Sequence, residues 1–356
     1  MEVNRIQNLR KLMSGNMMEG VLVYSPENRR YLSGFTGSAG FLVIGKESMD
    51  FVTDFRYMEQ AESQCKGWKV AIHGGNPMEK LAEVISKAGI KRLGFEEDFM
   101  TVMFRDDLKK SLPEIKLIPA RSIFVKLRIK KDNSEIENIC KAAAIADEAF
   151  KHILGYIRPG LSEAEVALEL EYFIKKRGSS GIAFETIVAS GIRSSLPHGI
   201  ASEKKIEAME FLTLDFGCVY NGYCSDMTRT VFIGKATRKH REIYDTVLRA
   251  NAEVLKGLRP GITGREADKI ARDIISNAGY GEYFGHGLGH GVGIAIHEDP
   301  KLSIVGNIVL EAGMVVTDEP GIYIPGFGGV RIEDLVLITE TGAETISKST
   351  KELIEL

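Results

Sequence analysis

The stretch that decides the fold runs from Phe211 to Phe232 and reads FLTLDFGCVYNGYCSDMTRTVF. Alternating β-branched and aromatic residues on both sides of Asn221-Gly222 predict two β-strands. Asn-Gly is a preferred pair for a two-residue type I′ turn, because both central residues of that turn adopt a positive φ angle. The stretch therefore predicts a β-hairpin that turns at Asn221 and Gly222.

The register of this hairpin brings two aspartates together. Tyr220 then faces Tyr223, Asp215 faces Thr228, and Asp226 lies on the same face, two residues from Thr228. The aspartates become diagonal neighbours, about 7–8 Å apart at the backbone. Carboxylates on one buried face repel each other and lose hydration, which a metal ion between them would relieve. A bulge that directs one aspartate to solvent is the alternative, and the hairpin alone leaves both open.

The C-terminal part of the chain contains an internal repeat. The segment Arg158-Pro-Gly-Leu-Ser-Glu-Ala-Glu165 returns as Arg259-Pro-Gly-Ile-Thr-Gly-Arg-Glu266. Each copy separates two helices, and the second helix of each begins with a capping box, at Ser162 and at Thr263. Each copy then leads to a strand that bears an acidic residue.

Aligning the two copies pairs their acidic residues. Glu319 takes the place of Asp215, and Glu333 takes the place of Asp226. The second hairpin closes through a longer glycine-rich loop, Pro325–Gly329. A pseudo-twofold arrangement would bring all four acids to one centre. Because acidic side chains are rarely buried unless they are paired, this convergence favours a metal site.

Four of the seven histidines lie in two clusters. One cluster holds His198, and the other holds His286, His290 and His297 in a glycine-rich stretch. His286 and His290 have the spacing of a zinc-binding helix, but the alternating glycines would make a helix costly there. We expect an extended backbone that packs closely beside a site.

Four carboxylates and one imidazole form a site too acidic for a single divalent ion. Two ions about 3.5–4 Å apart would balance this charge and activate a water molecule, which points to hydrolysis. Hard oxygen donors with one nitrogen favour Mn²⁺ or Co²⁺, and Zn²⁺ stays open as an alternative.

The remaining sequence predicts a smaller domain before the repeat. Residues 1 to about 110 alternate helical and strand-like segments, including paired strands at Phe41–Ile44 and Phe51–Thr53, and we expect an α/β domain over residues 1–125. Residues 126–356 form the second domain, whose first long helix begins with a predicted capping box at Ser134 and Glu137. The fold class expected for the whole chain is α+β.

Composition narrows the classes of partner. The chain has 46 basic and 49 acidic residues, and this balance argues against nucleic acid or an anionic membrane as the main partner. The first residues lack the apolar core of a signal peptide, and no apolar run approaches the ~18 residues of a membrane span. Four cysteines without a CxxC pair fit a reducing cytoplasm.

These motifs resemble the pita-bread metallopeptidases of family M24, the group of methionine aminopeptidase, aminopeptidase P and prolidase. Residues 1–125 resemble the creatinase-type N-terminal domain of the proline-specific members through Tyr31-Leu-Ser-Gly-Phe35 and Thr53-Asp-Phe-Arg-Tyr57. The resemblance implies a C-terminal pita-bread domain with a pseudo-twofold repeat, and a homodimer. The matching segments of that domain are Leu196-Pro-His-Gly199, the hairpin with its two aspartates, Gly289-His-Gly291, Glu319-Pro-Gly321 and Arg331-Ile-Glu-Asp334.

The resemblance also implies a role for each candidate site residue. Glu319 would relay a proton of the attacking water, and His198 and His297 would donate hydrogen bonds to the scissile carbonyl. His286 and Arg331 are expected to contact substrate, and Arg331 also to orient an acidic ligand. The expected metal ligands are Asp215, Asp226, His290, Glu319 and Glu333.

The substrate is a small peptide, and two classes stay open. An Xaa-Pro dipeptidase (prolidase) needs a cation for the proline carboxylate, and Lys301 is the candidate, although a solvated lysine is the alternative. An Xaa-Pro aminopeptidase needs an open exit groove for longer peptides. Proline selectivity is implied by the resemblance alone. The rival from another class is a non-catalytic pita-bread binding protein, against which five intact ligands argue.

Overall fold

The computed structural model describes residues 2–356, with side chains from Asn4 onward. The chain divides into two compact units, with the division after Arg128. The predicted boundary between residues 125 and 126 lies within the helix Arg121–Arg128. In the described part of the chain, no helix combines the length and hydrophobicity that crossing a membrane requires.

The N-terminal unit is built on a six-stranded mixed sheet, whose strands lie in the order Lys69–Ile72, Met49–Thr53, Phe41–Gly45, Gly20–Val23, Arg92–Phe95 and Lys116–Pro119. The predicted pairing of Phe41–Ile44 with Phe51–Thr53 is confirmed, since Phe41 faces Val52 in an antiparallel ladder. The helices are α1 Glu2–Gly15, α2 Pro26–Ser33, α3 Met58–Gln64, α4 Pro77–Lys87, α5 Val102–Ser111 and α6 Arg121–Arg128. The strands are β1 Gly20–Val23, β2 Phe41–Gly45, β3 Met49–Thr53, β4 Lys69–Ile72, β5 Arg92–Phe95 and β6 Lys116–Pro119.

The C-terminal unit consists of two half-units, each with a pair of helices and a set of antiparallel strands. The first half-unit holds α7 Asn133–Leu154, α8 Glu163–Lys176, β7 Gly181–Ile182, β8 Ile187–Ser190, β9 Glu210–Phe216, β10 Cys218–Tyr220, β11 Tyr223–Cys224 and β12 Met227–Ile233. The second holds α9 Arg238–Gly257, α10 Gly264–Asn277, β13 Gly289–Gly291, β14 Glu298–Leu302, β15 Val315–Asp318, β16 Gly321–Ile324, β17 Gly328–Arg331, β18 Asp334–Ile338 and β19 Ala343–Thr345. Each helix pair covers the strands of its own half with a buried apolar cluster.

The predicted hairpin is confirmed in turn and register. Asn221 and Gly222 have φ angles of 47° and 78°, both positive as a type I′ turn requires. Tyr220 pairs with Tyr223, and Asp215 pairs with Thr228.

The strands of this hairpin are interrupted rather than continuous. Strands β9 and β12 pair in one sheet, whereas β10 and β11 pair in another. The break lies at Gly217, where an added Cβ would come within 1.9 Å of the Ser225 carbonyl oxygen. Only glycine therefore allows the two backbone segments to approach so closely at this point. Asp226 directly follows Ser225 in the sequence.

The second half-unit also contains an interrupted hairpin, but its strands pair in a shifted register. Asp318 pairs with Asp334 and Gly321 pairs with Arg331, on either side of a similar break. Continuing this register places Glu319 opposite Glu333, whereas Asp226 lies diagonal to Asp215. Both predicted capping boxes of the repeat, at Ser162 and Thr263, are present.

The predicted start of the first long helix is wrong by two residues. The N-cap of α7 is Asp132, whose carboxylate accepts hydrogen bonds from the backbone N–H groups of Ser134 and Glu135. The Glu135 side chain accepts a hydrogen bond from the Asp132 backbone N–H, which completes a capping box. An aspartate two residues upstream therefore caps the helix in place of the predicted pair Ser134 and Glu137.

Candidate metal centre

The five predicted ligands lie at strand ends and breaks that face one another. Asp215 lies near the end of β9, and Asp226 lies between β11 and β12. His290 lies within β13, Glu319 directly follows β15, and Glu333 directly precedes β18. The breaks in both hairpins thus place carboxylates where the ladder hydrogen bonds stop.

The ligand atoms of three of these residues lie close together. One donor atom each from Asp226, His290 and Glu333 lies within 4.8 Å of the others. His290 Nε2 is 3.6 Å from Asp226 Oδ2 and 3.4 Å from Glu319 Oε1. The predicted convergence of acids from both half-units with one imidazole is therefore present for these four residues.

Asp215 is connected to the cluster through hydrogen bonds of Arg331. Its Oδ2 accepts a hydrogen bond of 2.6 Å from Arg331 Nη2. Its Oδ1 is buried and has no donor among the described residues. Arg331 thus orients one oxygen, and the other is left for a ligand that the chain itself does not supply.

Repulsion among the buried carboxylates of the cluster also favours a bound cation. Burial raises the pKa values of Asp226 and Glu333 well above their usual range, and the surrounding carboxylates, Asp215 and Glu319 among them, raise them further. Burial likewise raises the pKa of Glu319 to about 7. Without a metal ion this cluster therefore holds protons near neutral pH. Buried carboxylate oxygens with one imidazole nitrogen are a donor set that fits hard divalent cations.

His290 is held in the tautomer that a metal ligand needs. Its Nδ1 lies 3.1 Å from the carbonyl oxygen of Gly291, which only an Nδ1–H can donate to. Burial lowers the pKa of its ring to about 4, so the imidazole is neutral at neutral pH. The Nε2 lone pair then faces the carboxylates.

The two histidines with predicted catalytic roles differ in their surroundings. The His297 ring lies 4.4 Å from the His290 ring, centroid to centroid, and burial lowers the pKa of His297. His198 is exposed, and the loop that carries it is tied to the centre by a hydrogen bond from Arg331 Nη1 to the Pro197 carbonyl. A neutral His297 can donate one N–H toward a carbonyl at the site.

The predicted substrate-contacting residues His286 and Arg331 meet at a tyrosine that sequence reasoning missed. Tyr323 Oη lies 2.8 Å from His286 Nε2 and 2.8 Å from Arg331 Nη1. The other ring nitrogen of His286 bonds to the Gly287 carbonyl, so both of its nitrogens have partners within the chain. Tyr323 follows the Glu319-Pro-Gly321 motif by two residues, and that position on a buried strand is the only signal the sequence offers.

The roles of two threonines were also missed, and both orient carboxylates of predicted ligands. Thr228 Oγ1 donates to Glu333 Oε2 at 2.6 Å and accepts from Arg331 Nε at 3.0 Å. Thr317 Oγ1 donates to Glu319 Oε1 at 3.0 Å. The hairpin register, which sets Thr228 opposite Asp215, was the signal for the first.

Lys301 lies beside the centre rather than within it. It belongs to β14 and pairs with His290 of β13 in the strand register. Its side chain is exposed. The structure thus leaves its ammonium accessible to a bound ligand.

Both parts of the chain match known protein families. Residues 137–340 match metallopeptidase family M24, and residues 5–130 match the creatinase/prolidase N-terminal domain. The chain is 42% identical to an Xaa-Pro dipeptidase of Pyrococcus furiosus, over 98% of this chain and 99% of that protein. The structure of an Xaa-Pro dipeptidase from Bacillus anthracis superimposes with a TM-score of 0.97 at 48% identity, covering 100% of both chains. An X-Pro aminopeptidase from Thermotoga maritima superimposes with a TM-score of 0.90 at 36% identity, over 96% of this chain and 98% of that one.

Proposed function

The chain belongs to metallopeptidase family M24, and from this premise we propose that it is an Xaa-Pro dipeptidase working with two divalent metal ions. The predicted fold, a pita-bread domain preceded by a creatinase-type domain, is confirmed by the same matches. The observation that carries the proposal is the buried cluster of carboxylates around His290, which needs positive charge.

The family implies divalent metal ions, and we assign their binding to Asp215, Asp226, His290, Glu319 and Glu333. Two ions balance four carboxylates better than one, and the hard donor set favours Mn²⁺, with Co²⁺ and Zn²⁺ as alternatives. When bound, such ions acidify a water molecule and polarise the carbonyl of the scissile bond.

The residues of the chain then orient substrate and move the proton. Glu319, fixed by the hydroxyl of Thr317, accepts a proton from the attacking water and returns it to the leaving imino nitrogen of proline. His297 donates an N–H to the developing oxyanion, and we assign a second N–H donor to His198, whose loop is held by the hydrogen bond from Arg331 to the Pro197 carbonyl. Arg331 keeps Asp215 in place through its 2.6 Å hydrogen bond.

One assay tests both the activity and the substrate class. Protein stripped of metal is supplied with Mn²⁺, Co²⁺ or Zn²⁺ in turn and given Xaa-Pro dipeptides and Xaa-Pro-Xaa tripeptides. Metal-dependent release of proline from dipeptides, with little cleavage of tripeptides, supports the proposal. Efficient cleavage of tripeptides favours an Xaa-Pro aminopeptidase, the alternative that the Thermotoga maritima structure keeps in view. No cleavage with any metal contradicts both and favours a binding protein.

The homodimer and the cytoplasmic location stay predictions. The dimer is checked by light scattering on the metal-loaded protein. A monomer at micromolar concentration would contradict it.

A further inference from the structure

Arg229 is a buried arginine beside the metal centre to which the proposed chemistry gives no role. Its side chain is 1% exposed. It follows Thr228 on β12, so it points to the opposite face of the strand from the carboxylate cluster. A buried guanidinium requires a reason, because burying a charge costs free energy unless hydrogen bonds satisfy it.

All five N–H groups of this guanidinium donate hydrogen bonds. An arginine has five such donors in a rigid planar fork. The five acceptors are the carbonyl oxygens of Thr350 at 2.9 Å, Thr228 at 2.9 Å, Glu333 at 2.5 Å and Ser349 at 2.8 Å, and Oδ1 of Asp334 at 2.7 Å.

These bonds join the two half-units at their ligand-bearing breaks. Thr228 belongs to the first half-unit and follows Asp226 by two residues, whereas Glu333 is one of the three proposed ligands from the second half-unit. The backbone N–H of Glu333 also donates to the Thr228 carbonyl at 3.1 Å. One Arg229 nitrogen, Nη1, therefore donates to one backbone carbonyl from each half-unit.

A second arm of the same network reaches Glu319. Asp334 accepts from Lys351 Nζ at 2.7 Å, and that ammonium also donates to Asn251 Oδ1 at 2.7 Å. Asn251 Nδ2 in turn donates to the carbonyl of Asp318, the residue before Glu319, at 3.1 Å. The network thus attaches to the backbone at or beside ligands from both half-units.

We propose that Arg229 is a positioning residue that holds Asp226 and Glu333 at the separation needed to bind two metal ions. The inference rests on the proposed function, because it assumes a two-ion centre. Lysine cannot replace arginine in this role, since an ammonium has three donors and no planar fork. A merely structural arginine would affect the stability of the fold and leave metal binding unchanged.

The test is the Arg229→Lys variant, with Arg29→Lys as the matched control. Arg29 is equally buried and donates to three backbone carbonyls, but it lies in the N-terminal unit. Mn²⁺ affinity and stoichiometry are measured by calorimetry, coupling between the ions by electron paramagnetic resonance, and stability by urea denaturation of the metal-free protein. We expect Arg229→Lys to weaken the more weakly bound ion about 10- to 100-fold and to lose the signal of coupled ions. Arg29→Lys should lower stability alone.

The outcomes separate this inference from the proposed function. Wild-type protein that binds fewer than two ions contradicts the proposed function, and this inference with it. Wild-type protein that binds two ions, with unchanged affinity and coupling in Arg229→Lys, overturns this inference alone. If Arg229→Lys does not fold, Asp334→Asn decides, because it keeps the shape of the side chain and removes the charge that pairs with Arg229. A threefold or greater loss of affinity for the weaker ion then supports the proposal, and wild-type affinity overturns it.

Discussion

At the scale of single residues, the proposed role of Glu319 in proton transfer rests on its position. Its Oε1 lies 3.4 Å from His290 Nε2 and accepts a hydrogen bond from the Thr317 hydroxyl. We expect Glu319→Gln to lower kcat about 10²- to 10⁴-fold, because the amide keeps the shape and cannot accept the proton. Steady-state kinetics and metal analysis of one preparation check this. The exposed Glu344→Gln is the control, and a kcat within tenfold of wild type at full metal content would contradict the assigned role.

Lys301 tests the choice of substrate at the same scale. Its exposed side chain on β14 lies across the ladder from His290 and can reach a carboxylate at the site. We expect Lys301→Ala to raise KM for an Xaa-Pro dipeptide about tenfold, since a hydrogen bond between charged groups contributes about 1.5–3 kcal/mol. KM for the corresponding Xaa-Pro amide, which lacks the carboxylate, should not change. Equal KM values for the dipeptide in both proteins would leave Lys301 as a solvated side chain.

Whether the role of a residue could be predicted depends on how far its contacting residues lie from it in the sequence. Asp215 and Thr228 were placed opposite each other because a two-residue turn determines the register of its hairpin. Tyr323 and Arg229 were missed, because their partners are distant in the sequence and no local pattern encodes them. The five ligands were predicted only because a repeat and a family resemblance supplied the long-range information.

At the scale of elements, the break in the first hairpin is expected to control the position of Asp226. The contact between Gly217 and the Ser225 carbonyl leaves no room for a Cβ, which would lie 1.9 Å from that oxygen. We expect Gly217→Ala to displace Ser225 and Asp226, to weaken metal binding at least tenfold, and to lower the free energy of unfolding by about 1–3 kcal/mol. Gly181→Ala, on the neighbouring β7 where nothing lies within 4 Å of an added Cβ, is the control.

Calorimetry with Mn²⁺ and urea denaturation measure the two effects separately. Metal affinity in Gly217→Ala equal to that in Gly181→Ala would show that the break does not position Asp226.

Helix boundaries at this scale were less predictable than hairpins. The sequence predicted a capping box at Ser134 and Glu137, whereas the folded chain forms one at Asp132 and Glu135.

At the scale of the whole molecule, the metal-free protein should lose stability as the pH rises above about 6.5. Burial raises the pKa values of Asp226, Glu333 and Glu319, so the unfolded chain releases these protons first and stability falls with rising pH. Burial lowers the pKa values of His286 and His290 to about 4, which has the opposite effect as the pH rises from about 4 to 6.5. Above pH 6.5 the histidines no longer contribute to the change, and the carboxyl groups make the stability fall with rising pH.

Urea denaturation of chelated and Mn²⁺-loaded protein at pH 6.5, 7.5 and 8.5 measures this effect. Each carboxyl group that stays protonated in the fold lowers the stability of the metal-free protein by up to about 1.4 kcal/mol per pH unit. Bound ions replace the protons, so the stabilisation by Mn²⁺ should grow with pH. A metal-free protein whose stability is constant or rises over this range would contradict the prediction.

Because the proposed metal ligands are divided between two half-units, the molecule is suited to fragment complementation. A cut in the loop between β12 and α9 would leave one fragment with only the two aspartates and the other with the histidine and the two glutamates. Neither fragment retains the full set of donors. The backbone hydrogen bonds between Phe232 and the strand-like segment at Ile354 and Leu356 give the fragments a route to reassociate. Recovery of Mn²⁺ binding after the fragments are mixed would then show that the two half-units have reassociated. This measurement needs no peptide substrate.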